Sequence, residues 1–260
     1  MSSKRERLAS FGIATKGIVY FIIGLLTAMT AFGYGGKKSN STTVLEFLSS
    51  QSYGKFILIV LAIGLLGYVF WRWYQAIANP NNLDNDSKGI IKRVAYFVSG
   101  ILYGSLAYTA IKIVMGDNSQ GGNSFFSKLF NSEYATASAI IIGLILVGKG
   151  VYEFYQGYSG KFKDEVESAG LDHRAQKFIM KAGKVGYTSR GIVAGVLGFL
   201  FVKAGLGDNA QKLSKTDAFS FIQDEFGSIV MGIVALGLVG YGVFMIIKAK
   251  YSSLVVSQSS

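Results

Sequence analysis

The sequence predicts an all-α polytopic membrane protein with six transmembrane helices, built as three tandem helical hairpins in a pseudo-threefold arrangement. Three observations carry that prediction. Half of the 260 residues are apolar and only 16% are charged, where a soluble domain carries roughly 25% charge. The charge deficit falls in six segments, 11–32, 54–77, 94–115, 135–158, 186–206 and 227–249. Finally, a glycine pair sixteen residues apart recurs three times, as Gly17 and Gly33, Gly100 and Gly116, and Gly191 and Gly207.

Each apolar segment has about 20 residues, enough to cross roughly 30 Å of hydrocarbon at 1.5 Å per residue. A chain in lipid must satisfy its own backbone, so such segments are helices or barrel strands. Unbroken apolar runs lack the alternation that barrel strands require. The first run is longer than a signal-peptide core, and Phe32-Gly33-Tyr34 is not a small-x-small cleavage site. It is expected to remain as an anchor.

Gly67, Gly148 and Gly240 close the second segment of each hairpin, 50, 48 and 49 residues after the leading glycines. The repeats divide the chain at 1–80, 81–160 and 161–251, followed by a tail over 252–260. Copies of one supersecondary unit produce self-similarity of this kind. Each unit contains two spans, so the three share one orientation, as parallel repeats do about an axis along the membrane normal.

The formal charge of +11 suggests nucleic acid until it is sorted by loop. One side of the membrane holds 18 of the 26 basic residues, from Lys4, Arg5 and Arg7 through the 161–190 stretch to Lys248 and Lys250. By the positive-inside rule both termini are cytoplasmic. The basicity is then topology plus attraction to anionic lipid, and no nucleic-acid partner is expected. The reading places the chain in a bacterial cytoplasmic (inner) membrane.

The hairpin tips contain 43–48, 125–130 and 216–222, which read as short amphipathic helices at the outer interface. Thr43 and Glu46 have capping-box spacing. Asn79-Pro80 opens a turn-rich linker, and 159–181 reads as a cytoplasmic helix of mixed charge.

Glycine is unfavourable inside helices in water, but between membrane helices it permits close backbone approach. Gly17, Gly67, Gly100, Gly104, Gly148, Gly191, Gly195 and Gly240 are therefore the expected packing positions, with Gly100/Gly104 and Gly191/Gly195 in small-xxx-small spacing. Lys112 and Lys203 stand four residues before the closing glycines of their helices. They can snorkel to the outer surface or contact an anion or headgroup there. Arg72 and Glu153 occupy equivalent positions five residues past their trailing glycines, with Met245 in the third copy, and form a candidate ion pair between repeats. Trp71, Trp73 and Tyr74 suit an interfacial aromatic belt.

The aligned repeats support a family resemblance. Val185-Gly-Tyr-Thr-Ser-Arg-Gly191 and the Gly-x-Gly ends of the second helices resemble the bacterial domain of unknown function 1206, over nearly the whole chain. Lys16 and Ser99 replace Arg190 in the other copies, so the resemblance implies three hairpins and no invariant cationic site. It implies a fold and no reaction.

No chemistry is expected of the residues themselves. The chain has no cysteine and one histidine, His173, in a charged loop, which leaves no thiolate nucleophile and no cluster for a metal or cofactor. The expected function is that of a non-enzymatic accessory or scaffold subunit that binds lipid, other membrane proteins or a second copy of itself. The alternative is a channel or small-solute transporter lined near its cytoplasmic mouth by Thr15, Lys16, Ser99, Ser189 and Arg190.

Overall fold

The computed structural model of the chain describes residues 2–80, 84, 86–116, 135–159, 172–207 and 215–250. Those residues form seven helices: α1 (Ser2–Ala31), α2 (Ser41–Ser49), α3 (Gly54–Ile77), α4 (Ser87–Val114), α5 (Ala135–Ser159), α6 (His173–Leu206) and α7 (Lys215–Lys250). All except α2 are long and apolar enough to cross a membrane.

The helix ends follow from local chemistry. Asp86 caps α4 by accepting from the Gly89 amide at 2.7 Å. α3 stops where Asn79 adopts a left-handed φ of 46° ahead of Pro80. Arg93 then donates to the freed carbonyls of Ala76 and Ile77, which ties the end of α3 to α4. α7 contains two helices, because Gly227 breaks the α conformation with φ 84° and ψ 164°; only glycine adopts such angles without strain. The tip segment 215–226 thus precedes the span proper. The other tip, 125–130, lies outside the described residues, as do 160–171 of the expected cytoplasmic helix and the tail. Residues 173–181 continue directly into α6.

The first and third tips are helical as expected, and one detail of the first needs correction. The capping box on α2 is formed by Asn40 and Thr43, one turn before the Thr43/Glu46 pattern. Asn40 Oδ1 accepts from the Thr42 and Thr43 amides, and the Asn40 amide donates to Thr43 Oγ1 at 2.7 Å. Moreover, the tip helices fold against the bundle. Val44, Leu45 and Leu48 of α2 are buried, and α2 packs on α1, α3 and α4. Ala218, Phe219 and Ile222 of the third tip are buried as well. Asn40 Nδ2 donates to Thr216 Oγ1 and Lys38 Nζ to Ser220 Oγ, which joins the first tip to the third.

The main helix pairs link different repeats. α1 packs on α7, α4 on α3, and α6 on α5. In each pair the first helix of one repeat meets the second helix of another. Gly17 faces the Gly242 carbonyl, Gly191 faces Gly150 and Phe154, and Gly100 makes room for the Trp73 ring. Within repeats, α1 packs on α3 and α6 on α7, whereas α4 and α5 of the second repeat hardly touch.

The residues on these seams explain the difference. In repeat 1, a Cβ built on Gly12 would lie 2.6 Å from the Tyr68 Cβ, and one on Gly64 would be 3.0 Å from the Thr15 Cβ. Repeat 3 has the same contacts, with 2.6 Å between Gly186 and Tyr241 and 2.7 Å between Gly237 and Ser189. The aligned positions in repeat 2 are Ala95, Val98, Ile145 and Lys149. Helix backbones approach closely only where small residues meet, and Val98 and Ile145 stand 47% and 64% exposed. The most apolar stretches of α4 and α5 are only 28% and 17% buried, against 50–67% in the other four spans.

Candidate functional site

Inside the bundle, the helices converge on a cluster of cations and tyrosines at repeat-equivalent positions. The residue before each leading glycine is Lys16, Ser99 or Arg190, and the residue three after it is Tyr20, Tyr103 or Ala194. One and five residues past the trailing glycines stand Tyr68 and Arg72, Lys149 and Glu153, and Tyr241 and Met245. Every inter-repeat seam brings these sets together. Tyr20 meets Tyr241 edge-on at 5.1 Å, Tyr103 meets Tyr68 at 4.7 Å, and Arg190 meets Glu153 through a 2.6 Å ion pair.

Glu153 therefore takes part in an inter-repeat clamp, but its partner is Arg190. The expected Arg72–Glu153 pair does not form. The Arg72 Nε donates to Tyr68 OH at 2.8 Å and its Nη1 to Gln75 Oε1 at 3.0 Å, both on its own helix. Its guanidinium lies 5.0 Å from the Tyr68 and Tyr96 rings. The reason is the order of packing: α5, which carries Glu153, lies against α6 and its Arg190, while Arg72 faces α4. Lys149 supplies Glu153 with a second cation at 3.1 Å.

Among the described residues, Lys16 is held by rings. Its Nζ stands 5.5, 5.6 and 5.9 Å from the centroids of Tyr68, Tyr103 and Tyr241, and the residue is only 7% exposed. Tyrosine faces carry negative quadrupole density and attract a desolvated cation. Arg190 is similarly stacked, 4.2 Å from Tyr241 and 5.1 Å from Tyr20. Thr15 and Ser189 are buried beside them. Buried cations thus outnumber the carboxylate in this region, which gives the interior a positive field.

The packing glycines divide into two groups. Gly17, Gly100 and Gly191 sit at close approaches, and Gly67 is buried in α3. A Cβ on Gly104, Gly148, Gly195 or Gly240 would meet nothing closer than 3.5 Å, although the Gly195 backbone itself lies against Gly150 of α5, 3.1–3.2 Å from a Cβ built there. Gly12, Gly64, Gly186 and Gly237, tight on the intra-repeat seams, belong with the first group. Lys112 stands half-buried beside Tyr108, 5.7 Å from its ring, and Lys203 is exposed. Trp73 stacks on Phe97 at 6.0 Å, so it belongs to the α3–α4 seam as much as to any belt. His173 is exposed at the first turn of α6. Among the described residues no three His, Cys, Asp or Glu side chains gather as metal ligands.

Fold and site together define a polytopic helical membrane protein of three tandem two-helix repeats. The sequence model of the Domain of Unknown Function DUF1206 matches three successive segments, 11–79, 94–160 and 185–252. The chain belongs to that family. It is 27% identical over 257 residues to the uncharacterized protein YxxB of Bacillus subtilis (strain 168), spanning 96% of this chain and 92% of YxxB. No solved structure matches it.

Proposed function

We propose that the protein is a non-enzymatic accessory or scaffold subunit of a bacterial cytoplasmic membrane, with its termini in the cytoplasm and its repeats in a pseudo-threefold ring. A lipid, a helix of another membrane protein or a second copy of the chain completes its second repeat. The observation that carries this reading is the unsealed seam between α4 and α5, set against two sealed seams of the same design. Lipid-exposed apolar surface is normal in a membrane protein. A repeat whose own helices do not pair leaves a groove that a long apolar partner fits. The cyclic order of the inter-repeat pairs favours the threefold ring, and the loop charge distribution favours the orientation.

The channel reading draws support from the burial of Thr15, Lys16, Ser189 and Arg190. Against it, three tyrosines enclose Lys16, and the tips of the first and third repeats pack onto the bundle, with Lys215 of the third reaching the Tyr20 hydroxyl. The test is to purify the tagged protein from its native membranes in mild detergent and identify co-purifying protein and lipid by mass spectrometry. A stoichiometric partner or one enriched lipid is the expected result. Recovery of the bare chain, together with ion or solute flux after reconstitution, would replace this reading with the channel.

A further inference from the structure

We propose that a small phosphate-type oxyanion binds among Tyr20, Lys149, Arg190 and Lys215. These residues line a cavity of about 60 Å³ where α1, α5, α6 and α7 meet, walled otherwise by leucine, valine and alanine side chains. Its volume holds roughly two waters, enough for a compact ion or the phosphate of a headgroup. A metabolite of ordinary size needs several hundred Å³.

Three cations converge there. The Lys215 Nζ lies 4.4 Å from the centre of the Tyr20 ring and 3.3 Å from its hydroxyl, and the Arg190 guanidinium lies 5.1 Å from the same ring. Lys149 is linked to Arg190 through Glu153, whose Oε1 both cations contact. Among the residues that line or contact the cavity, Glu153 is the carboxylate that meets Lys149 and Arg190, and buried cations are usually paired or line a path.

The second observation is an unfilled donor. Arg190 is only 9% exposed, and its pair with Glu153, made through one guanidinium arm and one carboxylate oxygen, leaves both Arg190 Nε and Glu153 Oε2 without a hydrogen-bond partner among the described residues. A buried donor left open is uncommon in a folded protein. The open Nε can donate one charge-assisted hydrogen bond to a phosphate oxygen, and Lys215, Lys149 and the Tyr20 hydroxyl supply the further contacts that a tetrahedral oxyanion accepts. No residue of α4 lines the cavity, so a headgroup could enter from the side that the second repeat leaves unsealed. The site does not depend on the scaffold reading, and either can fail alone.

The test uses the full chain, purified in a neutral detergent and a phosphate-free buffer with chloride fixing the ionic strength. Thermal stability is followed during titration with inorganic phosphate, and again in nanodiscs of phosphatidylcholine with and without phosphatidylglycerol. A saturable rise with inorganic phosphate assigns the free ion, and one seen only with phosphatidylglycerol assigns the lipid headgroup. In either case Lys215→Gln and Lys149→Gln each weaken the midpoint about tenfold or more, as loss of a charged hydrogen bond does. Lys177→Gln, an exposed lysine in the first turns of α6, leaves it unchanged. If one variant fails to fold, the other carries the comparison. The absence of a saturable response to both probes, or an equal response in wild type and both lysine variants, would overturn the proposal.

Discussion

Glu153→Gln isolates the clamp between the second and third repeats. The substitution keeps the shape of the side chain and an acceptor oxygen, and it removes the one charge that answers Arg190 at 2.6 Å and Lys149 at 3.1 Å. Glu153 and Arg190 are 5% and 9% exposed, so solvent does not replace the lost charge. Breaking a buried ion pair by removing one partner costs about 3–5 kcal/mol. The retained hydrogen bond puts the expectation for glutamine near the lower figure, about 3 kcal/mol. For a chain of this size that is about 6–12 °C in thermal midpoint, at roughly 2–4 °C per kcal/mol. Unfolding can be read from Trp71 and Trp73 fluorescence in detergent at matched scan rates. The double variant Glu153→Gln/Arg190→Gln should recover part of the loss, giving a coupling of about 2 kcal/mol. Arg72→Gln should show no coupling to Glu153→Gln. A neutral Glu153→Gln, or a coupling to Arg72 larger than that to Arg190, would refute the packing order described above.

Other substitutions separate tight seams from slack ones. Gly12→Val and Gly186→Val place a side chain 2.6 Å from the Tyr68 and Tyr241 Cβ atoms; each should lower stability by about 1–3 kcal/mol, while Gly195→Ala, with open space at its Cβ, stays within about 0.5 kcal/mol of wild type. Asn40→Ala removes the α2 capping box and should cost about 1 kcal/mol, seen as faster hydrogen exchange of the α2 amides with α3 unchanged. Lys16→Met exchanges a cation held by rings for an apolar side chain of similar length. It should leave the thermal midpoint unchanged or raised, because replacing a buried charge with a packed apolar group is often neutral or stabilising.

Much of the fold can be read from the sequence because membrane spans are specified by composition and length, and these survive without any knowledge of contacts. The glycine register made the three copies visible and placed Lys16, Arg190, Arg72 and Glu153 at shared depths. Depth is as far as register goes. The choice of Arg190 over Arg72 as the partner of Glu153 depends on which helices of different repeats lie side by side, which no single repeat encodes. The open second repeat did leave a trace: Gly12 and Gly186 align with Ala95, and Gly64 and Gly237 with Ile145. Its meaning depends on knowing that these positions face the other helix of the same hairpin. The tyrosine cage around Lys16 was hidden for the same reason, since Tyr68, Tyr103 and Tyr241 come from three different helices. The inward fold of the tips turns on polar contacts such as Asn40 to Thr216, made across 176 residues of chain.

Disulfide cross-linking in native membranes tests the unsealed second repeat most directly, and the absence of native cysteine removes any background. The pairs are Thr15→Cys with Gly64→Cys, Ser189→Cys with Gly237→Cys, and the aligned Val98→Cys with Ile145→Cys. In the first two the Cβ atoms would lie 3.0 and 2.7 Å apart, closer than the roughly 3.5–4.5 Å of a disulfide, so the helices need separate by less than about 1 Å to form one. Repeats 1 and 3 should cross-link rapidly and repeat 2 should not. Equal cross-linking of all three pairs would show a sealed ring and contradict the unsealed second repeat.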